Sequence, residues 1–462
     1  MSNPGVKVAG MKIETLLDHQ TILANQARPV HFAIRFDVEE LGQPRPRPVA
    51  FCLVLDRSGS MEGEPLQRAK EAAQLVVRNL RAEDQFSVVA FDNEAQTVIP
   101  LQSSKNRAAW ITTIGRIQAG GSTNLTGGWM LGRDELKKVA PESSRRLLLL
   151  SDGQLNVGVV EPGMVQRVVA AGLETDGVRT SCLGFGNDYN EDLMAECARV
   201  TGGQFYDAQS PEKLPAIFTS ELEGLQKLVV QNLRVRFKRL DFCDSAMMLG
   251  QYPIVTLPDG REEIAVGDLV GGETRILCFE LGVLPLPLVA GQPVCSLEGD
   301  QLVALEFLYD EIGATGITSK TVTQVIRIQA TQDPAEVKVR EEVVSWVAMQ
   351  KAGRTIDEVT KRMDAGRQVE AAQLLERAIE QLRGYGNPQQ VSEAVQQLEN
   401  LQGLLGQGMF SLAERKSSKY RSASYLKMSS SEMWSGADAP PSFKRKPGAT
   451  PNPGPDTSKP TA

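Results

Sequence analysis

Residues 56–60 read D-R-S-G-S and stand directly after the apolar run A-F-C-L-V-L at 50–55. One carboxylate and two hydroxyls at two-residue spacing are oxygen donors of the kind a small hard cation takes. Two other stretches offer the same chemistry. Thr123 lies in G-G-S-T-N-L at 120–125, and Asp152 lies in S-D-G-Q-L-N at 151–156, after the run L-L-L-L; F-D-N at 91–93 closes another apolar run. Mg²⁺ favours an octahedral set of oxygens with few direct carboxylates and several waters, so carboxylate and hydroxyl oxygens from these loops gathered at one rim would suit it. Ser58 and Ser60 have a plainer reading as caps of the following helix. Thr123 and Asp152 have no place in that reading.

Enzymatic readings find less support. A phosphoryl-accepting aspartate would carry D-x-D, but this chain has Ser58 where the second carboxylate should be. There is no G-x-S-x-G elbow and no Walker-type G-x-x-x-x-G-K-[ST], and the only histidines are His19 and His31. His31 falls on the polar side of the alternating run V-H-F-A-I-R-F-D-V, which predicts a surface side chain rather than a base. The expectation is a protein that is not an enzyme.

The elements that must position these residues follow from hydrophobic patterning. Apolar runs at 50–55, 85–91, 146–150 and 178–185 alternate with helical stretches at 65–80, 164–171 and 190–200. Strands apolar on both faces and separated by helices predict a doubly wound, mainly parallel sheet covered on both sides, an α/β domain over 48–222. Such sheets present ligand sites at the carboxyl ends of their strands, where Asp56 and its companions fall. From 226 to 330 the pattern reverts to alternation, as in V-Q-N-L-R-V-R-F-K at 230–238, with turns at P-D-G and V-G-G. Residues 5–47 carry the same pattern but too few strands to bury a face alone. They are expected to pair with 226–330, so that the α/β domain is inserted in an antiparallel β-sandwich. Residues 333–405 predict an α-helical module divided at Gly353, Gly366 and G-Y-G-N-P, and 415–462 predict a disordered, basic, Ser/Pro-rich tail.

The motifs D-R-S-G-S, Thr123 and Asp152, with D-G-Q-L-N-V-G at 152–158 and G-F-G-N-D-Y-N-E-D-L at 184–193, resemble the von Willebrand factor A (VWA) domain of bacterial intracellular type, with its metal-ion-dependent adhesion site. The resemblance covers about residues 48–222. It implies that Ser58 and Ser60 bind the metal directly, that Thr123 joins in the ligand-bound state, and that Asp56 and Asp152 act mostly through water. It implies Mg²⁺ as the ion, with Mn²⁺ or Ca²⁺ as alternatives, and a protein partner that supplies an Asp or Glu. It also suggests an alternative role as adaptor for an AAA+ ATPase of the MoxR type or for a kinase and phosphatase system, with the helical module and tail giving specificity.

The bulk numbers agree with an interaction protein. A formal charge of −7 over 462 residues offers no global basic field for nucleic acid or an anionic membrane. The segment from Arg415 onward carries +6, leaving −13 for the rest. No run approaches the ~18 apolar residues of a membrane span, and the first ten residues lack a secretion signal. Six scattered cysteines without a C-x-x-C pair read as reduced thiols, and the expected compartment is cytoplasmic. Serines downstream of basic residues at 415–432 have the spacing a basophilic kinase would read.

Overall fold

The computed structural model describes residues 6–8, 10–40, 48–103, 106–140, 143–152, 155–186, 189–208, 210–286, 288–289, 292–293, 300–312, 317–386 and 388–429. The linker at 41–47, Cys295 and residues 430–462 of the expected tail lie outside them. The chain opens with β1 (Val6–Val8), β2 (Met11–Leu17), β3 (Thr21–Leu23) and β4 (Arg28–Val38). It continues through β5 (Ala50–Asp56), α1 (Glu64–Asn79), β6 (Gln85–Phe91), β7 (Ala95–Ser103), α2 (Arg107–Gly115), α3 (Leu125–Leu136), β8 (Arg145–Ser151), α4 (Pro162–Asp176), β9 (Val178–Phe185), α5 (Glu191–Val200), β10 (Phe205–Ala208) and α6 (Leu214–Gln226). Then follow β11 (Leu228–Arg239), β12 (Cys243–Met248), β13 (Ile254–Thr256), β14 (Glu262–Val270), β15 (Thr274–Val283), β16 (Leu288–Val289), β17 (Gln292–Pro293), β18 (Asp300–Ile312) and β19 (Ile317–Thr331). Four helices come last: α7 (Glu341–Asp364), α8 (Gln368–Arg383), α9 (Gln389–Gly406) and α10 (Leu412–Lys427).

The α/β domain is a six-stranded sheet in the order β10-β9-β8-β5-β6-β7, parallel except for the edge strand β7. All seven residues of β5 are buried because helices cover both faces. Phe51, Leu53 and Leu55 enter one core with α1 and α6, while Cys52 and Val54 enter the other with Trp129 of α3. The period-2 alternation of a strand thus divides one apolar run between two cores. Asp56 ends β5 at the carboxyl edge.

The N-terminal strands complete a sandwich with the strands beyond the α/β domain. One sheet runs β1-β2-β4-β15-β12, the other β13-β14-β11-β18-β19-β3. β4 pairs with β15 over ten residues, from Arg28↔Val283 to Asp37↔Thr274. Phe32 stacks on Phe279 at 4.5 Å and on Phe237 at 6.3 Å, joining the two sheets. Leu233, Val235 and Phe237 are buried as the alternation requires, and Arg236 on the opposite face pairs with Glu263 and Glu306.

Three sequence expectations need correction. Gly353 does not divide the helical module. It lies inside α7, where a Cβ would stand 2.8 Å from Cβ of Tyr425, so it is the point at which α10 crosses α7 closely. Second, 415–427 is not disordered: it belongs to α10, with Lys416, Ser418, Ser422 and Leu426 buried. Basic side chains on α10 face acids on α5 and α7, and this pairing compensates for a low apolar content that argues against folding when read alone. Third, His31 is buried, held between Asp18 at 2.8 Å and Glu280 at 3.2 Å where the sandwich meets α7. Of the six cysteines, the five in the described residues are free and buried. Burial pushes the Cys52 and Cys197 thiols up to about 12. They are packing groups, not nucleophiles.

Candidate functional site

The carboxyl edge of β5 and β8 brings Asp56, Ser58, Ser60 and Asp152 into one chain of hydrogen bonds. Ser58 Oγ lies 3.1 Å from Ser60 Oγ, and Ser60 donates to Asp152 Oδ1 at 2.8 Å. Asp56 accepts from the Ser58 main-chain N–H at 2.8 Å through Oδ1 and from the Ser151 hydroxyl at 2.6 Å through Oδ2. Asp56, Ser58, Thr123 and Asp152 are buried, whereas Ser60 is exposed. The cluster therefore sits in the wall of the edge, with Ser60 at its exposed end.

Neither serine caps the helix that follows. Ser58 precedes a short 3₁₀ turn at Gly59–Met61 without a side-chain capping bond, and the cap position of α1 is Gly63. The hydroxyls are left to one another and to Asp152, so the plainer reading of the motif fails on geometry.

The Gly-rich loop that carries Thr123 is tied to the D-R-S-G-S loop by main-chain bonds, Gly120 N to Arg57 O at 2.7 Å and Gly59 N to Gly121 O at 2.8 Å. It is tied to the F-D-N turn as well, through Ser122 N to Asn93 Oδ1 at 2.6 Å and Asn124 N to Asp92 O at 2.8 Å. A Cβ on Gly120 or Gly121 would run into the Asp92 or Asn93 side chain, which would have to shift to admit it. Asn124 then caps α3, accepting from Gly127 N at 3.0 Å. Asn156 holds Thr123 from the other side, accepting from its N–H at 2.7 Å. Behind the loop, Gly128 and Gly132 of α3 let the helix lie directly on Phe91 and Val54.

Sequence reading names the five oxygen-bearing residues and the F-D-N turn, and it misses Ser151 and Asn156 as positioning groups. Both lie within the quoted S-D-G-Q-L-N stretch, so the signal was present but looked like ordinary turn chemistry. Four of the five are joined by direct contacts; Thr123 joins through loop bonds. Gly153 and Gln154, between Asp152 and Asn156, lie outside the described residues.

The electrostatics suit a cation. Burial pushes the Asp56 carboxyl up, against the hydrogen bonds from Ser151 and Ser58 that pull it down. Its partners are neutral, and among the described residues no basic side chain pairs with it. Nearby Arg57 is engaged instead by Asp92 at 3.0 Å. A buried carboxylate without a positive partner is costly, and an ion at the rim would supply one. Among the described residues no group of three or more His, Cys, Asp or Glu could hold a metal; the Ser/Thr/Asp oxygens at this rim are hard donors of the kind Mg²⁺ takes.

Residues 51–220 match the von Willebrand factor type A domain, and this part of the chain is a VWA domain. An uncharacterized protein of Synechocystis sp. is 27% identical over 315 residues, 64% of this chain and 71% of that protein. The uncharacterized Escherichia coli protein YfbK is 26% identical over 241 residues, 49% of this chain and 40% of its own. Mouse inter alpha-trypsin inhibitor, heavy chain 4, is 31% identical over 161 residues, 32% of this chain and 17% of its own. The last two are matched over less than half their own length. A von Willebrand factor type A structure from Catenulispora acidiphila has a TM-score of 0.67 at 18% identity, covering 92% of this chain and 99% of that one. The ArnB paralog VWA2 from Sulfolobus acidocaldarius has a TM-score of 0.54 at 13% identity, covering 91% and 99%. The arrangement of VWA domain, antiparallel sheets and C-terminal helices is thus a fold that recurs as a unit.

Proposed function

We propose that the chain is a Mg²⁺-dependent protein-interaction scaffold, in which Asp56, Ser58, Ser60, Thr123 and Asp152 hold the ion and a partner's Asp or Glu completes its shell. VWA domains commonly mediate protein interaction. The observation that carries the metal reading here is the continuous contact Ser58–Ser60–Asp152 beside the buried, cation-free Asp56. In this scheme Ser58 and Ser60 would hold the ion through their hydroxyl oxygens, and Thr123 would join from its Gly-rich loop. Asp56 and Asp152 balance the charge while keeping most direct contacts neutral. When bound, the ion acts as an electrophilic bridge to a carboxylate, so binding should be chelator-sensitive.

We keep the reading non-enzymatic, because no D-x-D pair, G-x-S-x-G elbow or Walker-type loop accompanies these residues in the sequence. Free buried thiols suit a reducing compartment, which we take to be the cytoplasm. Among the described residues no helix is long and apolar enough to cross a membrane.

The test is recovery of partners by the full chain and by an Asp56→Ala bait, each with Mg²⁺ or EDTA. Partners retained by wild type with Mg²⁺ and released by EDTA or by the substitution support the reading. Equal recovery in all four conditions would sink it.

A further inference from the structure

The surface beside the candidate metal site joins an apolar patch to a ring of acids. Met130 is 47% exposed, Val159 36%, Val160 48% and Met164 44%. They share one place in the fold. The Val159 N–H donates to the Thr126 hydroxyl at 3.1 Å, and Met130 lies one turn beyond Thr126 on the same face of α3. Met164 is in the first turn of α4, directly after Val160 and the capping Glu161. The patch is continuous with the site, because Val157 N and Asn156 N both donate to Thr123 O. Apolar side chains exposed together at the mouth of a polar site are a surface held for a partner.

The charges at the same edge narrow the partner further. Glu62 and Glu64 follow the D-R-S-G-S turn, Glu94 ends the F-D-N turn, and Glu161 opens α4; all four are exposed. Among the described residues only Glu64 has a basic partner, Arg68 at 3.6 Å, while Arg57 is spent on Asp92. These acids stand on or beside the loops that carry the candidate site, so a partner segment bearing several acids would meet like charges there, a repulsion that salt screens beyond about 8 Å. A single carboxylate escapes most of that repulsion, and flanking lysine or arginine turns it into attraction.

We propose that the site takes an extended segment of another protein bearing one carboxylate flanked by apolar and basic side chains, and that it rejects acidic runs. The carboxylate goes to the metal site, the apolar side chains cover Met130, Val159, Val160 and Met164, and the basic ones face the rim acids. This rests on the metal reading above, and deepens it from any acidic residue to one defined by its neighbours.

A pool of seven-residue peptides with a fixed central Asp and randomised flanks, passed over the immobilised full chain with Mg²⁺ and eluted with EDTA, tests it. The eluate is expected to be enriched in apolar and basic residues and depleted of further Asp and Glu. The variant Val160→Ser/Met164→Ser, both sites exposed, should lose the apolar preference, keep the basic one, and bind a selected peptide roughly tenfold more weakly. An eluate matching the input, one enriched in acids, or no retention by a chain that still binds Mn²⁺ would overturn the inference and leave the metal reading intact. The same peptides retained equally in EDTA would instead overturn the metal reading.

Discussion

At the scale of single residues, Asp56 is the group on which the site depends. Its carboxyl is buried among neutral donors, and burial raises its pKa above the ordinary 3.8. A carboxyl raised on folding binds protons more readily in the native than in the unfolded chain. Its contribution therefore destabilises the metal-free fold progressively as pH rises above about 4. Asp56→Asn should leave thermal stability in EDTA unchanged or higher, while abolishing any rise in Tm on adding Mg²⁺. A large loss of stability in EDTA would show that Asp56 is a structural acceptor alone. The D-R-S-G-S donors were legible from residue type and spacing, and the resemblance to the VWA pattern added Thr123 and Asp152. The groups that orient them were not, because Ser151 and Asn156 act through hydrogen bonds whose partners become neighbours only after β5, β8 and α3 have assembled.

At the scale of elements, α10 is where sequence patterning fails for a definable reason. Most of its residues are polar and basic, and acids far away in the chain hold them, beside the few apolar contacts of Tyr425 and Leu426. Arg415 pairs with Glu191, Asp192 and Asp364; Lys419 lies 3.0 Å from both Asp192 and Asp357; Lys416 lies over the Tyr189 ring at 3.9 Å. No local propensity encodes such partners. The double-sided apolar strands, by contrast, were legible because each carries its own signal of burial. Arg415→Ala strips largely buried Glu191 of its closer cationic partner, leaving Lys416 at 4.0 Å, and should cost about 2–3 kcal/mol in urea unfolding, less at high salt. Gly353→Val should force α10 off α7, since even a Cβ stands too close to Tyr425. Trypsin would then cut at the basic residues of α10 in the variant before it does so in the wild type; identical cleavage rates would contradict the packing described.

At the scale of the whole molecule, the VWA domain is framed by a sandwich and a helical module that are themselves joined through charge. His31 stands between Asp18 and Glu280, and Lys351 of α7 reaches Glu280 at 2.6 Å and the Tyr385 hydroxyl at 2.8 Å. Burial lowers the His31 pKa, but the bonds from both carboxylates outweigh it and raise the value above 6.5. The stabilisation is therefore complete below about 6.5 and is lost as pH rises through the higher folded value. His31→Gln should flatten that part of the stability–pH curve. Asp18 works in the opposite direction. Burial pushes its carboxyl up, yet the bonds to His19 and His31 hold it at about 2, so its contribution is present above about 4 and fades as pH falls towards 2. This junction was hidden from the sequence because the alternation that places His31 on a polar face does not reveal that α7 later covers that face. The central claim remains the metal site. Mn²⁺ binding to the full chain, followed by electron paramagnetic resonance and competed with Mg²⁺, tests it most directly against Ser58→Ala/Ser60→Ala. The predicted result is one competed ion per chain in the wild type and none in the variant; an undiminished signal in the variant, or no binding by the wild type at millimolar metal, would contradict it.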